Sequence, residues 1–154
     1  MSTYINFFMR RADEFIPIVS FSRSSYIYKV AANYAPYAKI APFSTEILKN
    51  CCNAIKEEKN RIKEKINIEK SHVEYIKNFN NSVSDKLEAI AECESSIKDW
   101  EEELEDARRA QYFFTFLEDM TDEILYVDYN KAETNKYIYA GIEVNIPTVE
   151  DVVK

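Results

Sequence analysis

No proline occurs between Pro42 and Pro147. A proline inside a helix removes a backbone hydrogen bond and clashes with the preceding turn, so this long interval is free to run as extended helix. Its apolar pattern says that it does. From Leu48 a stripe passes through Cys52, Ile55, Lys59, Ile62, Ile66, Glu69, Val73 and Ile76 in alternating steps of four and three residues, the spacing of a coiled-coil seam. Ser44, just after Pro42, supplies an N-cap oxygen, and Glu46 suits the first turn. The segment Asn78-Phe79-Asn80-Asn81-Ser82 ends the helix, since asparagine tolerates the left-handed conformation. A second helix starts near Ser82 or Ser84 with Asp85 in a capping box. Its stripe reads Val83, Leu87, Ile90, Cys93, Ile97, Trp100, Leu104, Ala107, Gln111, Phe114.

Folding the chain about residue 80 pairs Ile76 with Leu87, Val73 with Ile90, Ile66 with Ile97, Ile62 with Trp100, Ile55 with Ala107 and Leu48 with Phe114. Every partner is apolar. Charge gives a second test: residues 84–106 carry ten acids and two lysines, and Lys56, Lys59, Arg61 and Lys63 fall opposite Asp99 to Asp106. The expectation is an antiparallel helical hairpin.

Residues 1–43 and 124–146 are instead aromatic and β-branched. The reading is α+β: a small, aromatic-rich antiparallel β base (1–43 and 124–146) with the coiled-coil hairpin (44–123) inserted between its strands, and a tail, 147–154, in one domain. Expected strands are Thr3–Ala12, Phe15–Ser22, Ser25–Val30, Ile124–Tyr129 and Lys136–Ile146, the last two forming a hairpin. Residues 44–55 and 107–120 are apolar on more than one face, including Tyr112, Phe113, Phe114 and Phe116, and are expected to pack into the base.

Composition excludes much chemistry. Gly141 is the single glycine, so phosphate loops, dinucleotide fingerprints and nucleophile elbows have no glycine to turn on. One histidine and three cysteines leave few soft metal ligands, and Asp128, Glu133 and Glu143 lack the dense ligand spacing of a cation loop. Adjacent Cys51 and Cys52 argue against a disulfide framework. Cys52 and Cys93 read as small buried hydrophobes and Cys51 as a flank residue. Cys93 falls opposite Glu69, which raises a thiol's pKa. The net charge of −7 disfavours direct nucleic-acid binding, and no segment reaches the length of a membrane span. Neither a catalytic activity nor a cofactor is expected, and the charges at Arg10, Arg11, Asp13 and Glu14 argue against a signal peptide. A cytoplasmic setting follows.

Two surfaces remain as binding candidates. Arg10, Arg11, Ser22, Arg23, Ser24 and Tyr26 have the guanidinium, hydroxyl and aromatic groups of a small-anion or nucleotide-like site. Ile68, His72, Tyr75 and Phe79 form a second stripe on the first helix, about 100° from the seam, and suit a protein contact. The expected function is non-catalytic protein interaction by a homo-oligomer, with sequestration of a nucleotide-like anion as the alternative. Lys, Asn, Ile, Tyr and Phe make up 63 of the 154 residues. Their A/T-rich codons point to an A/T-rich genome such as many bacteria and phages have. A small acidic single-domain protein from such a source is expected as a phage or mobile-element inhibitor that binds and blocks a host protein.

Overall fold

A computed structural model describes residues 3–37, 40–78, 82–130, 136–145 and 152–153. The fold is α+β, and the chain divides into two compact units: Met1–Ala54 with Tyr112–Lys154, and Ile55–Gln111.

In the first unit, β1 (Thr3–Arg11) and β2 (Glu14–Ser22) form an antiparallel hairpin through a turn in which Ala12 has φ 54°. The register shifts between Phe7, opposite Val19, and Phe8, opposite Pro17. A bulge there accommodates a proline that has no N–H for a ladder. On its other edge β1 pairs antiparallel with β4 (Glu123–Asn130), which pairs in turn with β3 (Ala41–Pro42). β7 (Val152–Val153) adds parallel to β2, giving the order β3-β4-β1-β2-β7. The two central strands are covered on both faces: Ile5, Phe7 and Phe8 on β1 and Leu125, Tyr126 and Val127 on β4 are all buried. That is why Leu125–Val127 reads as a continuous apolar run and not as an alternation.

One face of the sheet gathers around Phe7. Its ring meets Phe21, Phe43 and Phe113 edge-on at centroid distances of 6.1, 5.2 and 5.1 Å. Phe43 continues to Phe114 and Tyr126. On the opposite face Phe8 packs with Leu125, Val127, Phe15, Ile40 and Tyr139.

Two expected strands are corrected. Ser25–Val30 is not a strand: α1 (Tyr26–Tyr34) is a helix, with Ser25 Oγ capping it by accepting from the Tyr28 N–H at 3.1 Å. Tyr26, Tyr28 and Val30 fit a period of two, but Ile27, Val30 and Ala31 at helical spacing are the buried set. Nor is Lys136–Ile146 one strand paired with Ile124–Tyr129. β5 (Lys136–Tyr139) and β6 (Ile142–Asn145) form their own hairpin. Ala140 (φ 52°) and Gly141 (φ 78°) make the two-residue turn of left-handed residues that such hairpins favour. Ile146, Pro147 and the segment 131–135 lie outside the described residues.

The helices α2 (Thr45–Lys77) and α3 (Val83–Glu118) begin where the caps place them. Ser44 Oγ accepts from the Ile47 N–H at 3.2 Å. Ser82 Oγ accepts from the Asp85 N–H and donates to the Asp85 carboxylate. Within the unit Ile55–Gln111, Ile62, Ile66 and Leu104 form a buried cluster against which Ile97 and Trp100 pack, and Arg61 stacks on the Trp100 ring at 5.6 Å. Lys59 departs from the expected register, its Nζ donating to Gln111 Oε1 at 2.6 Å. Side chains lean toward their own helix N-terminus, so in an antiparallel pair two long ones meet beyond the residues directly opposite. Val83 and Leu87, expected on the seam, are exposed, whereas Ile90, expected there as well, is half-buried, as is its neighbour Ala89. The basic stretch is neutralised partly within its own helix, through Arg61 and Glu58 at 3.0 Å.

Tyr112 and Phe116 also differ from expectation: both are exposed, while Phe114 and Leu117 are buried. The first pair shares a face one turn apart and the second pair another, so α3 covers only one side here.

Three substitutions check these assignments by urea midpoints followed by circular dichroism. Ile62→Asp buries an unpaired charge and is expected to cost about 3 kcal/mol or more, whereas Lys63→Asp should stay within about 0.5 kcal/mol. Phe7→Ala is expected to lose about 3–5 kcal/mol.

Candidate functional site

The six residues proposed for an anion do not converge. Ser22 lies opposite Tyr4 on β1, six positions from Arg10, so the two ends are about 20 Å apart at ~3.3 Å per residue. Arg10 faces Glu123 at 3.7 Å and lies over the rings of Phe15 and Tyr139. Arg11 is bound to Asp122 at 2.9 Å. At the other end the serines build a turn. Ser22 and Ser24 hydroxyls lie 3.0 Å apart, and Ser25 Oγ donates to the Ser22 carbonyl while capping α1. Tyr26 opens α1 and is half-buried.

Sequence spacing does not reveal the polar contact next to this turn, whose members stand 100 positions apart. Tyr28 OH donates to Asp128 Oδ1 at 2.9 Å, with Asp128 buried. Burial raises the Asp128 pKa, against the opposing effects of the Tyr28 hydrogen bond and the Arg23 charge. Burial first, then the bond to Asp128, pushes the Tyr28 phenol up to about 12, so it remains a donor. This arrangement ties α1 to β4. It places a carboxylate beside Arg23, where an anion would be repelled. Of the acids considered for a metal, Asp128 is engaged by Tyr28, Glu143 is exposed on β6 and Glu133 lies outside the described residues. Among the described residues no group of three or more metal-ligating side chains forms.

The cysteines are held as thiols. Cys51, expected on a flank, is fully buried, and burial pushes its pKa up to about 12. Cys52 is only half-buried and donates to Glu118 Oε1 at 2.9 Å, and burial followed by that carboxylate pushes it up to about 12 as well. Cys93 meets Glu69 as the pairing requires, and burial and then Glu69 raise its pKa. A nucleophilic thiolate is disfavoured at all three.

The outer stripe of α2 is open. Ile68 is 43% and Tyr75 65% exposed. His72 between them is exposed, with Nδ1 4.0 Å from Glu69 Oε1. Phe79 lies outside the described residues. Ile68, His72 and Tyr75 thus stand exposed at helical spacing on α2, apart from the buried seam positions Ile62, Ile66 and Val73. No described helix is long and apolar enough to cross a membrane. In comparisons with protein-family models, curated proteins and solved structures, nothing matches this chain.

The Asp128 contact predicts a pH dependence. Its pKa is raised on folding, so its stabilising contribution is complete below the ordinary carboxyl range and is lost as pH rises through the folded value. Asp128→Asn, which keeps an acceptor for Tyr28, should therefore melt above the parent at pH 7. The difference should close toward pH 3, as read from thermal midpoints across that range.

Proposed function

We propose that this chain is a non-catalytic protein-interaction protein acting in a cytoplasm, and that the outer face of α2 at Ile68, His72 and Tyr75 is a contact surface. The observation that carries this reading is the exposure of Ile68 and Tyr75, seven residues apart on one helix face, while the seam positions Ile62, Ile66 and Val73 are buried. Large apolar side chains repeated on one face of a helix lose water when a partner covers them. Thiols held protonated and a tyrosine kept as donor support a binding role more than a catalytic one. The anion-binding alternative is weakened, because Arg10 and Arg11 face acids and Arg23 lies near Asp128. In this reading the chain is a phage or mobile-element inhibitor that associates with itself and blocks a host protein.

The test is Ile68→Glu combined with Tyr75→Lys. Both positions are exposed, so each change should cost no more than about 0.5 kcal/mol of stability, with unchanged helicity by circular dichroism. Capture of the partner from the native cell is expected to fall at least about tenfold. Undiminished capture by the folded double variant would refute the assignment.

A further inference from the structure

Lys56, Lys63, Lys70 and Lys77 recur every seven residues on α2, and Asp85, Glu92, Asp99 and Asp106 recur every seven on α3. All eight are exposed residues of the unit Ile55–Gln111. Seven helical residues rise about 10.5 Å, so each row spans about 32 Å at the same pitch. A seven-residue repeat drifts ~20° per step around a helix, and both rows drift in the same sense. Four cations and four anions are thus spaced to match along their whole length.

Within one hairpin the rows do not meet. Lys63 and Lys70 line a groove of about 520 Å³, floored by Ile66 and Leu104, with Glu101 and Glu105 on the α3 side. Asp99 stands two residues from Glu101 and so lies about 160° away around α3, on the far side from the groove. Of the two acids at the groove, Glu105 already holds Arg108 at 3.7 Å and Arg109 at 3.8 Å. Lys77 reaches Glu74 at 3.6 Å. Among the described residues, Lys56, Lys63 and Lys70 have no ion pair within 4.0 Å.

We propose that a second copy of this chain docks on the lysine face, setting its α3 acid row against the α2 lysine row. The pairing is of the kind that flanking charges make between coiled-coil helices. It rests on the interaction reading above and names the partner. The two rows occupy opposite sides of the hairpin, so the contact is heterologous: each copy offers one row to a neighbour on either side, and assembly grows with concentration. Exposed pairs are screened by salt, so association weakens as ionic strength rises.

The test is sedimentation velocity of the full chain. The average mass should rise with concentration at about 50 mM salt, and association should be at least about tenfold weaker at 500 mM. Two charge reversals decide the mechanism: Lys56→Glu/Lys63→Glu/Lys70→Glu, and Glu92→Lys/Asp99→Lys/Asp106→Lys. Each folded variant alone should stay monomeric, while an equimolar mixture should associate, because one then carries two acidic faces and the other two basic ones. Helicity by circular dichroism certifies folding, and the milder Lys→Gln and acid→amide versions replace any reversal that does not fold. A wild type that is monomeric at low salt, folded reversals that associate unchanged, or a mixture that stays monomeric would overturn the proposal. A monomeric wild type whose partner capture still depends on Ile68 and Tyr75 would overturn self-pairing and leave the interaction reading standing.

Discussion

The ring of Phe7 is the contact on which the sheet-bearing unit depends. It sits at the centre of β1, the strand with a long neighbour on each edge, and touches Phe21, Phe43 and Phe113. Those residues come from β2, from the segment just before α2 and from the last turns of α3. A single buried side chain thus joins parts of the chain more than a hundred residues apart. Edge-to-face aromatic pairs add a directional term to burial, which fixes the orientation of the elements as well as their proximity. Phe43 extends the cluster to Phe114 and Tyr126, and the Tyr126 hydroxyl donates to the Pro36 carbonyl at 2.5 Å, tying the stretch after α1 to β4.

Long-range order in the hairpin unit rests on a different balance. Its seam is apolar, but Lys59 and Glu69 interrupt it, and each finds a partner across the helices in Gln111 and Cys93. Outside the seam, an exposed row of lysines on α2 and an exposed row of acids on α3 each repeat every seven residues. Such sorting contributes little to the stability of one copy, because exposed pairs are weak. Its effect falls on what the hairpin can meet, since like-charged faces repel and unlike ones attract.

Local chemistry was readable from the residues themselves. The caps at Ser44 and Ser82 with Asp85, the strand over residues 3–11 and the pairing of Glu69 with Cys93 depend on neighbours in sequence or on a simple period. Residues 25–30 misled because Tyr26, Tyr28 and Val30 satisfy a strand period while Ile27, Val30 and Ala31 satisfy a helical one, and only a sheet on which to pack selects between them. The Ala140-Gly141 turn hid in an otherwise regular alternation. As for the candidate sites, the outer stripe of α2 followed from periodicity. Proximity in sequence failed to identify an anion site, because an antiparallel hairpin places Arg10 and Ser22 at opposite ends.

The amino-acid order alone determined the two long helices, their antiparallel pairing and the mixed α+β character, since these follow from helical period, capping and the distribution of proline. Tertiary structure alone decided which aromatic residues are covered. Phe113 and Phe114 face the sheet cluster while Tyr112 and Phe116 face outward, although all four are aromatic. It also decided that Tyr28 meets Asp128. Burial and long-range hydrogen bonds are properties of what packs against a residue, and a helical or strand period specifies only the face on which that residue stands.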